Sequence, residues 1–402
     1  MPKILRIINR FNLGGPTYNA AYLTKYLSPD FETLLIGGMK DASEEGSEYI
    51  LDSIGVEATI IPEMKRSIHP GNDYKAYMKL REIIRSFKPD IVHTHASKAG
   101  TLGRLAARSE NIPHIFHTFH GHVFHSYFGK VSTTFYKNVE RTLARNTSKI
   151  IAISERQKEE LCDIHKICSP DKVEVIPLGF DLSRFMEDTD EKRWRFRKEW
   201  LIDDDEIAVG IIGRLVPVKN HPLFLKAASE VSKMTNKRIR FFIIGDGESC
   251  EELLAMSRDM NLDTGYKKDG MRHKITFTSW IKEVDTALAG LDIVALTSFN
   301  EGTPVSLIEA QAASKPIVTT KVGGIQNIVQ DKKTALLVEN NDIEGFVHAL
   351  LELIESDMLR QKMSIYGRDF VKDTFHYTRL ISDMSKLYFS ELEKNIMNTA
   401  SV

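Results

Sequence analysis

The sequence predicts an α/β protein built of two Rossmann-like, doubly wound parallel-sheet domains facing each other across a cleft. Three observations carry that expectation. The chain has 402 residues, too long for one ordinary hydrophobic core and enough for two of about 150 to 200 residues each. Short β-branched runs recur with helical-period segments between them, the alternation that builds βαβ units and parallel sheets covered on both faces. Thirteen such runs can be counted, more than one compact doubly wound sheet accommodates.

In chain order the first half offers "KILRII", "TLLIGG", "ATIIP", "DIVHTH", "HIFHTFH", "KIIAIS" and "VEVIPL". A seam follows Leu178, where "GFDLSRFMEDTDEKRWRFRKEWLIDDDE" is dense in charge and shows no strand pattern. A fresh strand opens at Ile207, and "AVGIIGRL", "RFFIIGDG", "KITFTS", "DIVALTS", "PIVTTKV" and "ALLVEN" follow. Beyond them the chain reads as helix to its end, with apolar residues at helical spacing in "RLISDMSKLYFSEL". The expected division is 1–178, 179–374 and a closing helical segment 375–402. Ligands of such folds bind on loops at the strand carboxyl ends, so those loops are where chemistry is sought.

Composition narrows the class. A net charge of −1 argues against a generic nucleic-acid binder, which carries a basic excess. Cys162, Cys168 and Cys250 form neither a CxxC pair nor an even disulfide set, which fits a reducing compartment. The opening "MPKILRIINRFNLGG" lacks the n-region, h-region and cleavage site of a signal peptide, and no apolar run approaches about 18 residues. The expectation is a soluble, cytoplasmic enzyme, with peripheral attachment to the inner face of a membrane left open.

The second half carries the stronger site signals. "IIGRLVPVKNHPLFLKA" places Arg214 and Lys219 five apart in a loop after a strand, before a helix expected near His221-Pro222. A planar guanidinium and a point-charge ammonium there suit a diphosphate; two solvated loop cations are the bland alternative. "FIIGDGES" ends the next strand with Gly245 and Gly247, which let backbone approach a ligand or make a plain turn. The GxGxxG dinucleotide fingerprint follows none of the strands, which counts against a nicotinamide or flavin enzyme. In "SFNEGTPVSLIEAQAASKP", Thr303 is expected as an N-cap and Pro304 as the first helical residue, with the helix running to about Ala313. Its first-turn amides would bind an anion. An acid such as Glu301 beside a phosphate is repelled unless it accepts hydroxyl hydrogen bonds. That combination suits a ligand with both phosphate and polyol, a sugar nucleotide.

In the first half, "NRFNLGGPTYNAAYL" offers a Gly14-Gly15 turn and a helix starting at Pro16, either a simple turn or a second group-binding loop. Seven of the thirteen histidines fall between His93 and His125. His93 and His95 alternate on a strand and share a face; His117, His120, His122 and His125 follow. Without an HExxH pattern or a carboxylate partner in the stretch, ordinary buried or rim histidines are expected and no metal. His120, just past an apolar strand, is best placed to meet a substrate. Lys98, in "HASKAGTLGRLAAR", either reaches the cleft or sits on a capped helix start. Lys137, Arg141, Arg145 and Lys149 recur every four residues as a basic stripe, either a solvated face or a contact for anionic lipid.

Taken together and in order, "GGPTYNA", "DIVHTHASKAGTLGRLAA", "FHTFHGH", "VIPLGFD", "GRLVPVK", "IIGDGE" and "SFNEGTPVSLIEA" resemble a family-4 retaining glycosyltransferase of the GT-B fold, over nearly the whole chain. The last motif is similar to that family's E-x7-E and is the most specific. The resemblance implies that residues 1–178 form the acceptor-side domain and 179–374 the nucleotide-sugar donor domain. The segment 375–402 would cross back onto the first. It implies that Arg214 and Lys219 hold the donor diphosphate, and that Glu301 with the amides around Gly302, Thr303, Pro304 and Val305 holds sugar hydroxyls and phosphate. Glu309 would accept from the ribose hydroxyls and His120 would lie against the transferred sugar. Gly15 would approach the phosphate, with Gly213 and Gly245 also in the donor site. Pro16, Thr17 and Lys98 are acceptor-side candidates. No metal or other cofactor is implied. Pro16-Thr17 and Leu178 depart from what many relatives carry.

The activity so implied is transfer of a sugar from a nucleotide diphosphate sugar, of the uridine kind, to a glycan or lipid-linked acceptor in cell-surface polysaccharide assembly. A nucleotide-sugar 2-epimerase on the same fold is the alternative. A non-catalytic nucleotide-sugar-binding partner is a third reading.

Overall fold

The computed structural model describes residues 1–11, 15–38, 48–65, 67–120, 130–266 and 269–399. Gly14, His122 and His125 lie outside them. The chain divides into two compact units, Met1–Phe180 with Phe375–Val402, and Asp181–Thr374.

Among the described residues the first unit has strands β1 (Lys3–Arg10), β2 (Glu32–Gly38), β3 (Ala58–Ile61), β4 (Ile91–His95), β5 (His114–Phe119), β6 (Lys149–Ala152) and β7 (Val173–Val175). They form one parallel sheet in the order β3-β2-β1-β4-β5-β6-β7. Alternation sorts the side chains. Leu5, Ile7, Val92 and Ile115 face a layer containing Leu80, Ile84 and Ala106. Ile4, Ile91 and Phe116 face Leu23, Phe31 and the closing helix Tyr377–Thr399 through Leu380, Met384 and Tyr388. Each such Leu or Phe contributes roughly 1.5–3 kcal/mol on burial. The closing helix is therefore part of the first unit's core. It is also tied to the segment before Asp181: Phe180 N–H donates to the Phe375 carbonyl, Tyr377 N–H donates to the Phe180 carbonyl, and Arg379 donates to the carbonyls of Pro177 and Leu178.

The second unit has β8 (Ile207–Ile212), β9 (Ile239–Ile244), β10 (Thr264–Tyr266), β11 (Ile275–Ser279), β12 (Ile293–Leu296), β13 (Ile317–Thr320) and β14 (Ala335–Val338), in the order β10-β11-β9-β8-β12-β13-β14. Val209, Ile211, Phe241 and Ile243 pack against Phe224, Phe346 and Leu350. Strand β10 is absent from the thirteen runs of the sequence. It is three residues long, contains Gly265 and lies at the sheet edge, so it lacks the apolar density that marks a central strand. The charged segment after Asp181 folds as helices Ser183–Met186 and Thr189–Glu199. The second helix sends Arg193 and Arg197 onto Asp292 at 2.8 and 3.2 Å.

Both sheets reverse strand direction of growth once, between β1 and β4 and between β8 and β12. The carboxyl ends of those strands are where diverging loops leave room for a ligand. No helix among the described residues is long and apolar enough to cross a membrane.

Candidate active site

At the second unit's switch point the loops after β8 and β12 are stitched together. Phe299 N–H donates to the Val218 carbonyl (2.8 Å) and Thr297 Oγ1 to the Lys219 carbonyl (2.9 Å). Thr320 Oγ1, at the end of β13, donates to the Ser298 carbonyl (2.7 Å). On this frame Lys219 Nζ meets Glu301 Oε1 at 2.5 Å, and Ser298 Oγ donates to the same oxygen at 2.6 Å. The two side chains are only 18% and 11% exposed, so the pair is poorly screened by water and stronger than a surface ion pair. Arg214, on the same loop as Lys219, is exposed and its guanidinium has no hydrogen bond or ion pair among the described residues. A charged fork left unengaged beside a sheltered ion pair is suited to an incoming anion.

The helix after this loop is Val305–Ala312, one residue later than its sequence suggests. Pro304 is its N-cap, with φ −70° and ψ 100°, and no side chain caps it; Thr303 lies outside the cap position. The reason is local. Pro304 keeps its fixed φ, but its extended ψ places it before the first helical turn instead of in it. The first-turn amides thus lack the side-chain acceptor that Thr303 was expected to supply, which favours an external anion. Gly302 is exposed, with nothing within 4 Å of a Cβ placed there.

Two buttresses hold this geometry. A Cβ on Gly245, whose φ is +147°, would fall 1.9 Å from the Gly213 carbonyl oxygen. The loops after β8 and β9 can touch there only because Gly245 lacks a side chain. On the other side, Gly324 N–H donates to the Glu301 carbonyl (2.9 Å), and a Cβ on Gly324 would sit 1.7 Å from the Gly302 carbonyl oxygen. The Gly323-Gly324 loop was not singled out from the sequence. Its signal was available in a Gly-Gly pair just past the strand "PIVTT".

Glu309 sits one turn into the helix with its side chain 19% exposed, 3.7 Å from Arg184. Burial pushes its carboxyl up to about 7; Arg184 pulls the other way and Asp285 adds to the rise. A carboxyl in that state can donate or accept. Arg184 also lies over the Phe185 ring, 4.7 Å from its centroid. It is a site neighbour that sequence reasoning missed, since "LSRF" carries no pattern that singles it out.

In the first unit the histidines converge at the carboxyl ends of β4 and β5. His95 Nδ1 and His120 Nε2 are 2.9 Å apart, and His93 contacts Thr118, Tyr388 and Arg6 at 2.8, 2.5 and 3.0 Å. Burial holds His120 down to about 3, so it is neutral at physiological pH. Among the described residues no group of three or more His, Cys, Asp or Glu is arranged to hold a metal ion.

Other candidates are placed differently from the sequence expectation. Helix Gly15–Tyr26 begins at Gly15, and Thr17 is fully buried on its inner face, so its hydroxyl is not presented to an acceptor. Pro16 is half-buried; a Cβ on Gly15 would meet Leu178 Cδ1 at 3.0 Å. Lys98 pairs with Asp73 at 2.5 Å and donates to the carbonyls of Lys65 and Ser67. It ties a helix start to the loop after β3, because three oxygens converge within its reach. Of the basic stripe, Lys137, Arg141 and Arg145 share the helix Lys130–Arg145, and Lys149 opens β6. Arg141 donates to the carbonyls of His165 and Lys166, and Lys149 to the Asp171 carbonyl and Glu174. Lys137 also has a partner, and Arg145 is exposed.

Two switch-point sheets, a Lys–Glu loop pair and an uncapped helix start fit a glycosyltransferase of the GT-B fold. Residues 14–184 match the family described as Glycosyltransferase Family 4, and residues 192–370 match Glycosyl transferases group 1. The chain is 30% identical over 351 residues, 85% of each chain, to the UDP-Gal:alpha-D-GlcNAc-diphosphoundecaprenol alpha-1,3-galactosyltransferase of Escherichia coli. It is 24% identical to the capsular polysaccharide biosynthesis glycosyltransferase CapM of Staphylococcus aureus, covering 84% of this chain and 86% of that one. The fold is shared with Anabaena HepE, solved in complex with UDP, at a TM-score of 0.77 and 17% identity over 96% of this chain and 100% of that one. The chain belongs to glycosyltransferase family 4.

Proposed function

We propose that the protein transfers a hexose from a uridine diphosphate sugar, with retention at the anomeric carbon, to a lipid-linked or glycan acceptor in cell-surface polysaccharide assembly. The observation that carries this reading is the sheltered Lys219–Glu301 pair, 2.5 Å apart, beside the unengaged Arg214 and the uncapped start of helix Val305–Ala312. The names of the Escherichia coli and Staphylococcus aureus relatives and the UDP held by HepE support the donor and acceptor classes.

The chemistry follows from charge. Breaking the sugar–phosphate bond builds negative charge on the departing diphosphate. Arg214, Lys219 and the helix amides stabilise that charge where it develops. Glu301, oriented by Lys219 and Ser298, accepts from a sugar hydroxyl, and Glu309 accepts from the ribose. Retention through a covalent intermediate needs a carboxylate beneath the anomeric carbon. Among the described residues the carboxyl ends of β4 and β5 carry histidines, His95 and His120, and no carboxylate. A same-face route, in which the leaving phosphate takes the acceptor's proton, fits these residues.

The test is turnover on a panel of nucleotide sugars, with and without lipid diphosphate acceptors. Arg214→Ala and Lys219→Ala should each lower kcat by roughly 100-fold or more with the fold intact. Wild-type turnover in both variants overturns the diphosphate assignment. A sugar epimer formed from donor alone identifies the protein as an epimerase instead.

A further inference from the structure

We propose that the second unit holds an anion-binding site, taking a phosphate ion or the phosphoryl group of a small phosphomonoester, in a cavity between the start of helix Thr189–Glu199 and the end of helix Val305–Ala312. The inference does not depend on the glycosyltransferase reading above. The cavity is also distinct from the donor diphosphate site, which belongs to the opposite end of helix Val305–Ala312. Eight residues of helix separate the two ends by about 12 Å.

The cavity has a volume of about 150 Å³. That is room for about five waters, and well below the roughly 300 Å³ at which pockets for whole drug-sized molecules begin. It admits a phosphoryl group and not a nucleotide. Three cations line it, Arg193, Lys315 and Arg368, together with Thr189 and Ser314; Asp190 is the one acid among the described lining residues.

A different element delivers each cation. Past helix Val305–Ala312, Ser314 turns left-handed (φ 58°), its N–H donates to the Gln311 carbonyl, and Lys315 N–H donates to the Ala310 carbonyl. The residue in the place of Lys315 commonly lays an apolar side chain back on the helix. Here it carries an ammonium, which donates to the Ala289 carbonyl at 2.9 Å and has two further N–H groups. Arg193, in helix Thr189–Glu199, sets Nη2 on Asp292 at 2.8 Å and Nη1 3.3–3.4 Å from the carbonyls of Ala289, Gly290 and Leu291. Arg368, in helix Asp357–Phe375, is exposed and its guanidinium has no hydrogen bond or ion pair among the described residues.

Satisfying helix-end carbonyls accounts for Arg193 and for one Lys315 proton. It leaves Arg368 and the remaining Lys315 protons without an acceptor. Positive charge is crowded enough to be felt: the Lys315 ammonium is pushed down to about 8, first by burial and then by Arg193, with Asp292 pulling the other way and Arg197 adding to the fall. An anion among these groups relieves that repulsion. Helix Thr189–Glu199 adds to the field, since its N-cap Asp188 makes no side-chain capping bond and its first-turn residues Thr189 and Asp190 line the cavity. Arg forks and Lys point charges together suit phosphate oxygens. Asp190 opposes an anion, and this gives the test its sign.

The experiment is isothermal titration calorimetry of the full-length protein carrying Arg214→Ala, which removes a phosphate contact of the proposed donor site. Inorganic phosphate and glycerol 3-phosphate are the probes, and sodium chloride holds the ionic strength constant. The expected result is saturable binding in the millimolar range or tighter. Arg368→Gln, at an exposed position that the fold does not need, should weaken it roughly 10-fold or more. Asp190→Asn should tighten it roughly 2- to 5-fold by removing a like charge. Equal affinity for the two probes assigns the site to the phosphate ion, and tighter binding of glycerol 3-phosphate assigns it to a phosphomonoester; either upholds the site. No saturable heat with either probe overturns the proposal, and so does binding that Arg368→Gln leaves unchanged or Asp190→Asn weakens.

Discussion

Glu309→Gln is the perturbation whose magnitude the structure sets most directly. The Glu309 carboxyl is moved from an ordinary 4.5 to about 7, chiefly by burial. A carboxyl raised in this way binds its proton more tightly in the folded state than in the unfolded chain. The stability it contributes is fully present below about 4.5 and is lost as pH rises through about 7. The displacement corresponds to about 3 kcal/mol, and with only 19% of the side chain exposed little of that is relieved by solvent. Glutamine keeps the shape and cannot ionise. The variant should match the wild type at about pH 4.5 and become more stable by about 3 kcal/mol at about pH 8. The assay is urea unfolding followed by tryptophan fluorescence. Trp194, Trp200 and Trp280 are the protein's three tryptophans and all lie in the second unit, so the signal reports that unit alone. A variant–wild-type difference that is the same at both pH values, or a variant less stable at the higher one, refutes the reasoning.

Three further outcomes follow from the same coordinates. Gly245→Ala should destabilise the second unit by about 1–3 kcal/mol or more, read by the same fluorescence, because its Cβ would fall 1.9 Å from the Gly213 carbonyl oxygen. Glu140→Ala should cost the first unit about 3–5 kcal/mol by stranding Arg104, buried at 2% exposure and 2.6 Å from the carboxylate; Arg104→Met combined with it should recover much of the loss in thermal unfolding by circular dichroism. Lys98→Met should lower stability while leaving donor KM unchanged, since its ammonium is engaged by Asp73 and two carbonyls.

What the sequence makes legible here is what repeats or clusters. Continuous β-branched runs disclose the strands because both faces of a parallel sheet are buried, and β10 escapes because an edge strand of three residues needs no such run. The loop cations and Glu301 are legible because they follow strands directly, where ligands bind. Their pairing is not, since Lys219 and Glu301 are 82 residues apart and meet only through the β8–β12 neighbourhood. Arg184 is hidden for the same reason: its partner Glu309 lies on a distant helix. In the basic stripe the spacing places Lys137, Arg141 and Arg145 along one helix, but not the carbonyls to which Arg141 and Lys149 turn, which a one-dimensional pattern cannot contain. For Lys98 the sequence leaves a reach outward and a helix-start role open, because the three oxygens that engage it come from the preceding loop and helix.

The missing glycine fingerprint and the basic loop have a common physical origin. In a dinucleotide-binding loop, backbone N–H groups cradle the phosphates. Here the amides after β8 are already engaged. Gly213 N–H donates to the Ile244 carbonyl, Leu215 to Asp246, Val216 to Arg214, Lys219 to Val216 and Asn220 to Pro217, while Pro217 has no N–H to offer. The loop is folded against the loop after β9 so closely that Gly245 admits no side chain. Such a loop has few amides left with which to build an anion nest, so attraction for phosphate has to come from side chains and from the neighbouring helix start. On the proposed function Arg214 and Lys219 supply the first, and the uncapped first-turn amides from Val305 onward the second. Lys219 is held by Glu301 at 2.5 Å, so it approaches a ligand as half of a dipole that also offers a carboxylate to hydroxyls. A bare phosphate meets only the attractive half of that arrangement together with an acid that repels it. On the proposed function, a phosphate carrying a sugar satisfies both halves, and that asymmetry would favour a glycosylated diphosphate over the free anion.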